Sequence, residues 1–392
     1  MLHRTIASLA ILIAIAGPGG AAPPDLCVNP GGTGGCFASV QAAVDAAASK
    51  SVIHVEPGTY VGNLSIPAIR GGITIAGAGA ALTVIQGDPT GDAITVPSRG
   101  ELALRDLTVA GAQYDGIHLE DRTKLAVTGC VLRDNGDQAI GTLYSAVRAR
   151  VTIVDSVIAG NLSFFSFDAI TLSVGSRLDV IRSSIADNAH GAVHSYGRVD
   201  LTDSVVRDNG GGLLVSSGTI LRSTISGNTH GGIGVEGRTL KLVDSTVSDN
   251  GDSGVVVVAP STVQLVRTTV AGNGGIGLFV QDDAYSEARA VVQSSILADN
   301  ALADCDNDGG DTRLRLVGPN LIEASACPFV GQTPIATDPL LGPLQDNGGP
   351  TETRALLPGS PAIAAAIKSC KGTDQRGVAR ATPCDLGAYE AP

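Results

Sequence analysis

Short aliphatic segments recur along the middle of the chain, and each is followed by a polar corner that contains an asparagine. An aliphatic residue stands three positions before each asparagine, another stands eight before, and a Ser, Thr or Cys stands five before. The intervals between successive asparagines run from 19 to 27 residues. The repeating asparagines are Asn135, Asn161, Asn188, Asn209, Asn228, Asn250, Asn273 and Asn300.

A repeat of this length, with β-branched strands and glycine-rich corners, predicts one coil of a parallel β-helix. Leucine-rich repeats have a similar period, but they need helical segments and a leucine skeleton that this chain lacks. We therefore expect an all-β, right-handed, single-stranded parallel β-helix of about eleven coils. Because coils pair at about 4.8 Å, equal positions stack into ladders, including a ladder of asparagine amides. Cys130 takes the small Ser/Thr position, which predicts an inert buried thiol.

Charged residues alternate in sign six positions before the asparagines. Over six coils the row reads Asp155, Arg182, Asp203, Arg222, Asp244 and Arg267. Opposite charges on adjacent strands attract, whereas like charges repel. This row is expected to set the register of the coils.

The two ends of the repeat depart from its pattern. Residues 37–50 place Phe37, Val40, Val44 and Ala47 on one helical face, which predicts an N-terminal capping helix. From residue 334 onward Pro and Gly dominate without periodicity, which predicts an irregular C-terminal cap. We divide the chain into a signal peptide (1–22), an N-terminal cap with first strands (23–72), β-helix coils (73–333) and a capping region (334–392).

The first 22 residues have the order of a secretory signal: basic His3 and Arg4, a short apolar run, then small residues. The run is too short for a permanent membrane span, so we expect no membrane association after its removal. An exported chain forms disulfides. The seven cysteines predict three local pairs, with Cys130 left over. The pairs are Cys27–Cys36, Cys305–Cys327 and Cys370–Cys384.

Composition and charge narrow the choice of partner. The chain has 392 residues with 51 Gly, six Phe, six Tyr and no Trp, and its net charge is −12. This acidity disfavours nucleic-acid binding, which needs clustered Lys and Arg. We expect a monomer that is secreted, periplasmic or at the cell surface, with a polysaccharide or cell-surface glycan as its partner.

Two segments resemble known proteins. The segments CFASVQAAVDAA (36–47) and IHVEPGTYVGN (53–63) are similar to the start of secreted bacterial β-helix proteins of the pectin-lyase-like superfamily. Asp304–Cys305, GPNLI (318–322), Cys327, 338–363, DQRG (374–377) and CDLGAYE (384–390) resemble choice-of-anchor Q domain proteins. The resemblance implies the β-helix fold and export, and no established reaction. An anchor often follows this domain, but the printed sequence has no hydrophobic tail after Glu390, which disfavours an anchor.

One candidate site follows from aligning the aliphatic residues Ile117, Ile140, Ile170 and Val193. Asp115, Gln138, Asp168 and Gly191 stand two positions before them, and His118, Gly141, Thr171 and His194 stand one after. Asp115 and Asp168 are then two coils apart, about 9–10 Å, near the upper end of the carboxylate gap of inverting glycosidases. If the chain is an enzyme, we assign catalysis to Asp115, Asp168 and His194. Ligand-binding candidates are His118, Asp137, Phe165, Phe167, His190 and Tyr196.

A second candidate lies in the acidic segment 304–310 (DCDNDGG), which is similar to the core of a calcium loop. Asp304, Asp306 and Asp308 are the candidate Ca²⁺ ligands, although Arg315 stands where such loops place a bidentate Glu. A solvated acidic loop is the alternative. No other cofactor is expected.

Two functions remain open at this point. The leading hypothesis is a non-enzymatic extracellular or envelope-surface protein that presents a long binding face. The alternative is a polysaccharide lyase or glycoside hydrolase, which would need a convergent acid/base set on one face.

Overall fold

The computed structural model describes residues 25–142, 148–162, 168–283, 285–307, 313–324, 327–366 and 370–392. The aliphatic repeat forms a parallel β-solenoid, and a twelve-stranded sheet marks about twelve turns, one more than expected. Strands are short because the chain turns at a glycine-rich or polar corner after each of them. After one full coil, each strand lies beside its counterpart in the preceding coil. The predicted signal peptide lies outside the described residues.

Three faces surround the core. On the first face lie β4 (Leu64–Ser65), β7 (Ile94–Val96), β10 (Ile117–Leu119), β13 (Ile140–Thr142), β16 (Ile170–Leu172), β23 (Ile233–Glu236), β26 (Val255–Val258), β29 (Ile276–Gln281) and β32 (Ala303–Asn307). On the second face lie β3 (Gly58–Val61), β6 (Thr83–Gln86), β9 (Thr108–Ala110), β12 (Val131–Arg133), β15 (Val157–Ala159), β18 (Ser184–Ala186), β20 (Val205–Arg207), β22 (Thr224–Ser226), β25 (Thr246–Ser248), β28 (Thr269–Ala271), β31 (Ile296–Ala298) and β34 (Leu321–Ile322).

On the third face lie β1 (Leu26–Val28), β2 (Val52–Val55), β5 (Ile73–Gly77), β8 (Glu101–Arg105), β11 (Lys124–Thr128), β14 (Arg150–Val154), β17 (Arg177–Ile181), β24 (Thr239–Val243), β27 (Thr262–Val266), β30 (Arg289–Gln293), β33 (Leu314–Val317) and β35 (Phe329–Gly331). The long strands β19 (Gly191–Thr202) and β21 (Gly211–Leu221) run from the first face to the third and join them into one 23-stranded sheet. A separate antiparallel hairpin consists of β36 (Leu341–Gln345) and β37 (Thr353–Leu356).

The predicted asparagine ladder is present. From Asn135 to Asn300, each side-chain amide donates to the next asparagine's Oδ1 at 2.8–3.1 Å. Asn300 ends the series by donating to Oδ1 of Asp304 at 2.9 Å. Cys130 occupies the neighbouring Ser/Thr ladder, and burial raises the pKa of its thiol to about 11. The three expected disulfides form between the predicted cysteines.

The alternating Asp/Arg row forms pairs rather than a continuous chain. Each arginine binds the aspartate of the preceding coil through two hydrogen bonds, with Nε–Oδ1 distances of 2.7 Å. All six residues have positive φ, so they lie in the left-handed corner of the coil. The pairs are Arg182–Asp155, Arg222–Asp203 and Arg267–Asp244.

The N-terminal helix is shorter than expected and lies at one end of the core. Helix α1 (Val40–Ala46) begins after Ser39, whose side chain accepts from the backbone N–H of Ala42. Val40 and Val44 are buried in the main core, as the apolar face predicts. The helix therefore covers apolar side chains that the first coils would expose.

The C-terminal region, residues 338–392, packs along the side of the solenoid, and we call it the strap. Its apolar residues form a second core with the outward side of the second face, where Ile296 is fully buried. Gln375 binds Thr224 and Thr246 with its side-chain amide, at 2.8 and 2.7 Å. Strands β22, β25, β28 and β31 are therefore buried on both sides, whereas β15 exposes Val157.

Candidate functional site

Polar side chains gather on the outward side of the first face, over the coils from β7 to β19. The observed register aligns Ile94, Ile117, Ile140, Ile170 and Val193, as the sequence predicts for the last four. These aliphatic residues point inward, so His118 and His194, one position later, point outward, while Asp115 and Asp168 lie in the turns that precede β10 and β16. The register therefore brings Asp115, Asp168, His118 and His194 to one face.

The structure adds one residue that the sequence analysis missed. Asp92 stands two positions before Ile94, in the place that Asp115 holds before Ile117. Its Oδ1 accepts from the backbone N–H of Asp115 at 3.0 Å. The segment GDAITV already carries this signal, and an alignment that began one coil earlier would have found it.

Asp92, Asp115 and His118 form a compact cluster, whose ligand atoms all lie within 4.8 Å of one another. Among the described residues this is the one group of three or more acidic, His or Cys side chains close enough to hold a metal ion. Nδ1 of His118 lies 3.0 Å from Oδ2 of Asp115. The carboxylate accepts this hydrogen bond, which assigns a proton to Nδ1 and leaves Nε2 free of it in the neutral ring.

Electrostatics explain the protonation of the cluster. The hydrogen bond to Asp115 raises the pKa of His118 and outweighs the opposing effect of burial. Burial, together with the negative charge of Asp115, raises the pKa of Asp92. Two neighbouring carboxylates thus share one imidazolium as their counter-charge. A metal ion would take the same place, and a donor set of two carboxylates and one imidazole suits a transition metal better than Ca²⁺.

A second group lies further along the face. Burial raises the pKa of Asp168, while the nearby His194 and His190 oppose that rise. The rings of His194 and Tyr196 lie 4.6 Å apart between centroids, and Tyr196 is half exposed. This group offers a partly desolvated carboxylate, imidazoles and an aromatic surface within one patch.

Two glycines make room for the carboxylates. A Cβ atom at Gly141 would overlap Oδ2 of Asp115, and one at Gly191 would overlap the carboxylate of Asp168. Each aspartate therefore leans over a glycine of the next coil. Because both aspartates lean in the same direction, their separation stays near two coils, about 9–10 Å.

The remaining predicted residues are distributed as follows. Asp137 is buried in the turn before β13, where its backbone N–H donates to the carbonyl of Tyr114. Phe165 and Phe167 lie outside the described residues, so their ligand-binding role stays a prediction.

The candidate calcium segment, residues 304–310, is described only as far as Asn307. Asp304 is buried, and its carboxylate accepts from Asn300 and from the backbone of Ala324. It thus ends the asparagine ladder. Asp306 is half-buried on β32, and Asp308 lies outside the described residues. The calcium assignment therefore stays a prediction.

No described helix has the length and apolar character needed to cross a membrane.

A search among curated proteins gives no match to this chain. Among solved structures, the A-module of mannuronan C-5 epimerase AlgE4 from Azotobacter vinelandii is similar, with 18% identity, a TM-score of 0.57, and coverage of 71% of this chain and 88% of that one. Pectate lyase Pel9A is similar at 15% identity and a TM-score of 0.52, with coverage of 94% and 97%.

These likenesses concern the fold alone at such identities. The sequence itself gives a stronger result, because a family model for the right-handed β-helix region matches residues 92–222 and 168–321. Together the two matches span more than half of the chain and contain the whole polar cluster. The chain belongs to the right-handed β-helix family, with a pectin-lyase-like fold.

Proposed function

We propose that the chain acts on an acidic polysaccharide, with Asp115 and His118 as its proton-transfer pair. The observation that carries this proposal is the 3.0 Å hydrogen bond between a buried carboxylate and a half-buried imidazole on an open face. A histidine oriented by a carboxylate is the commonest general acid/base arrangement near neutral pH.

The chemistry suits a uronic-acid sugar. Its C5 hydrogen is acidified by the adjacent carboxylate, and Nε2 of neutral His118 accepts that proton as the C5–H bond breaks. The electron pair moves into the sugar carboxylate. It then either expels the C4 oxygen, which takes a proton from water and leaves as the hydroxyl of the neighbouring sugar with a C4=C5 double bond formed, or takes a proton from water at C5 on the opposite side. His118 afterwards returns its proton to the solvent. The first outcome is a lyase reaction and the second is an epimerisation.

Three features support this class of substrate. The similar epimerase and lyase act, by their names, on mannuronan and pectate, and both polymers consist of uronic acids. The described residues on this part of the face also include His190 and His194, which in the protonated state attract a sugar carboxylate. Three disulfides also favour an oxidising compartment outside the cytoplasm, where such polymers occur.

Binding without chemistry is the second candidate function. It is favoured by the exposed Tyr196, which stacks beside His194 and offers a platform for a sugar ring. The glycosidase arrangement remains a proposal too, since the separation of Asp115 and Asp168 is near the upper end of the range for inverting enzymes.

The test uses polymannuronate and polygalacturonate as substrates. Unsaturated-uronate absorbance measures elimination, deuterium incorporation at C5 measures epimerisation, and reducing-end release measures hydrolysis. We expect Asp115→Asn and His118→Ala to lower the rate by about 10²–10⁴-fold. His230→Ala, on an exposed histidine elsewhere, is the matched control.

The pH profile separates a proton-transfer role from a structural one. A base must be neutral, so the rate should rise with pH through the raised pKa of His118. In Asp115→Asn, the rise of any residual activity with pH should begin at a lower pH than in the wild type, because the carboxylate that raises the pKa of His118 is gone. Wild-type rates in both variants contradict the proposal, while binding of the polymers with no reaction favours the second candidate. Activity that chelation abolishes would assign the cluster to a metal ion.

A further inference from the structure

The third face carries a stack of like charges, in contrast to the alternating row at the corner. Observed register places Lys124, Arg150, Arg177 and Arg198 directly beside one another on four successive coils. Adjacent strands lie about 4.8 Å apart, so like charges in this arrangement repel and lower stability. Elsewhere in this chain the corner row pairs opposite charges, which shows that the fold does not require a cationic stack.

Three of these four cations form ion pairs with carboxylates, and one does not. Lys124 pairs with Glu101 at 2.7 Å, and Arg198 pairs with Asp200 at 2.7 Å. Arg177 pairs with Asp179 and Asp200 at 2.8 and 3.0 Å. By contrast, Arg150 forms no ion pair with any carboxylate in the part of the chain that the structure describes.

The unpaired charge lines a groove. An open depression of about 590 Å³ runs over β5, β8, β11 and β14, and Lys50, Lys124 and Arg150 contribute its positive charge against Glu101 alone. Lys50 lies at its end, where its backbone N–H donates to the carbonyl of Gly72 at 2.7 Å. Lys50, too, has no carboxylate partner among the described residues. The positive charge in this groove is therefore a local feature of a chain whose net charge is −12.

We propose that this groove binds a linear acidic polysaccharide as a second site, separate from the polar cluster. Charge complementarity is the first argument, since a uronate polymer carries one carboxylate per sugar. Geometry is the second, because Lys124 and Arg150 follow each other at one cation per coil along a straight line that Arg177 and Arg198 continue beyond the groove, as the charges of an extended chain do. No aromatic side chain lines the groove, which disfavours single-stranded nucleic acid, whose bases stack on such side chains.

The second site would hold the polymer while the first face acts on it. Two sites on one polymer raise the effective concentration of the chain at each, without any new contact. The groove lies on the third face and the cluster on the first, so a substitution in one leaves the other intact. Binding at the groove does not depend on any reaction at the cluster.

The test measures polygalacturonate binding by calorimetry in a His118→Ala background, which removes the reaction and keeps the groove. Lys50→Ala with Arg150→Ala removes the two cations that have no carboxylate partner, so no ion pair is broken. We expect the affinity to fall about tenfold in this double variant and to fall steeply with added salt. Arg238→Ala, which removes an exposed arginine between β23 and β24, is the control and should leave the affinity unchanged.

Three results would overturn the proposal. One is unchanged affinity in the double variant, and another is equal binding of a neutral dextran. The third is tighter binding of a single-stranded polynucleotide than of the uronate polymer, which would assign the groove to nucleic acid. A reaction that fails while the groove still binds removes the proposed function and keeps this inference. Unchanged affinity in the double variant, together with a reaction that proceeds in the protein with His118 intact, removes this inference and keeps the proposed function.

Discussion

The asparagine ladder and the Asp92–Asp115–His118 cluster are both stacks of polar side chains on successive coils, yet they differ in how the stack is satisfied. An amide both donates and accepts, so each asparagine serves its two neighbours, and all of them except the last, Asn300, are buried. A carboxylate only accepts. Two stacked aspartates therefore need a proton or a cation from outside the row, and His118 supplies it.

This difference indicates which polar stacks of a repetitive fold are able to form a functional site. A self-complementary stack is stable as it stands and has no unused capacity for a ligand. The carboxylate stack carries raised pKa values at Asp92 and His118, and these two residues remain partly accessible to solvent. Perturbed groups in an accessible position are the usual mark of a functional site.

Converting a ladder position into a carboxylate should have the largest effect on stability. Asn209→Asp removes the donor that reaches Asn228 at 3.1 Å, and it buries a charge. We expect a loss of about 3–5 kcal/mol in the free energy of unfolding at pH 7. Burial raises the folded pKa of the new acid, so the deficit should shrink as pH falls through that pKa.

Chemical denaturation at pH 4.5 and pH 7 measures this effect, with Asn209→Ala as the control that removes the amide without adding charge. Equal stability of the Asp and Ala variants at pH 7 would mean that the ladder tolerates a carboxylate, and the contrast with the cluster would fail.

Reversing one charge in the alternating Asp/Arg row should have an intermediate effect on stability. Arg222 binds Asp203 through two hydrogen bonds and lies near Asp244, so Arg222→Asp places like charges together. We expect Arg222→Asp to be less stable than Arg222→Ala by about 1 kcal/mol at low salt, mainly through Asp203. Asp244 is already held by Arg267 and the buried Arg380. Equal melting temperatures of the two variants at low salt would refute this.

Neutralising Asp92 in the Asp92–Asp115–His118 cluster should raise the stability of the protein rather than lower it. Burial and Asp115 raise the pKa of Asp92, so the folded state loses stability as pH rises from the ordinary aspartate value through the raised one. Asp92→Asn should therefore stabilise the protein at neutral pH, by a few tenths of a kcal/mol after solvent screening. The gain should vanish below about pH 4, where the wild-type aspartate is protonated. Thermal melts at both pH values test this, and destabilisation at pH 7 would contradict it.

The smallest effect is expected at Cys130. Its position is filled by serine in most other coils, and the backbone N–H of Cys130 donates to Oγ of Ser156 in the same ladder. Cys130→Ser should change the free energy of unfolding by less than about 1 kcal/mol. Thiol titration of the denatured, unreduced wild type should find one thiol and the variant none. A count of three or more would contradict the disulfide pairing.

The sequence predicts the periodic part of the molecule well, because a repeat exposes its own register. The ladder from Asn135 to Asn300 and the alignment of Ile117 with Val193 both follow from equal spacing within coils. Asp92 was missed because the alignment began one coil too late.

Non-periodic contacts were beyond this reasoning. Gln375 binds Thr246, which lies 129 positions earlier, and no repeating pattern connects the two. The basic groove was missed for a related reason: Lys50 belongs to a turn outside the repeat, and only the folded chain brings it into the same groove as Lys124 and Arg150.

The strap has a consequence for the order in which the chain folds. Neighbouring coils join residues about one repeat apart, such as Asn209 and Asn228, so they can pair as soon as each coil is complete. The contacts of Gln375 with Thr224 span 151 positions and carry a loop-closure penalty that is larger by about 2 kcal/mol. The solenoid therefore forms first, with the outward side of β22, β25, β28 and β31 uncovered. During that interval we expect this row of Thr, Ser, Ala and Ile to be a surface that a mispaired copy would join.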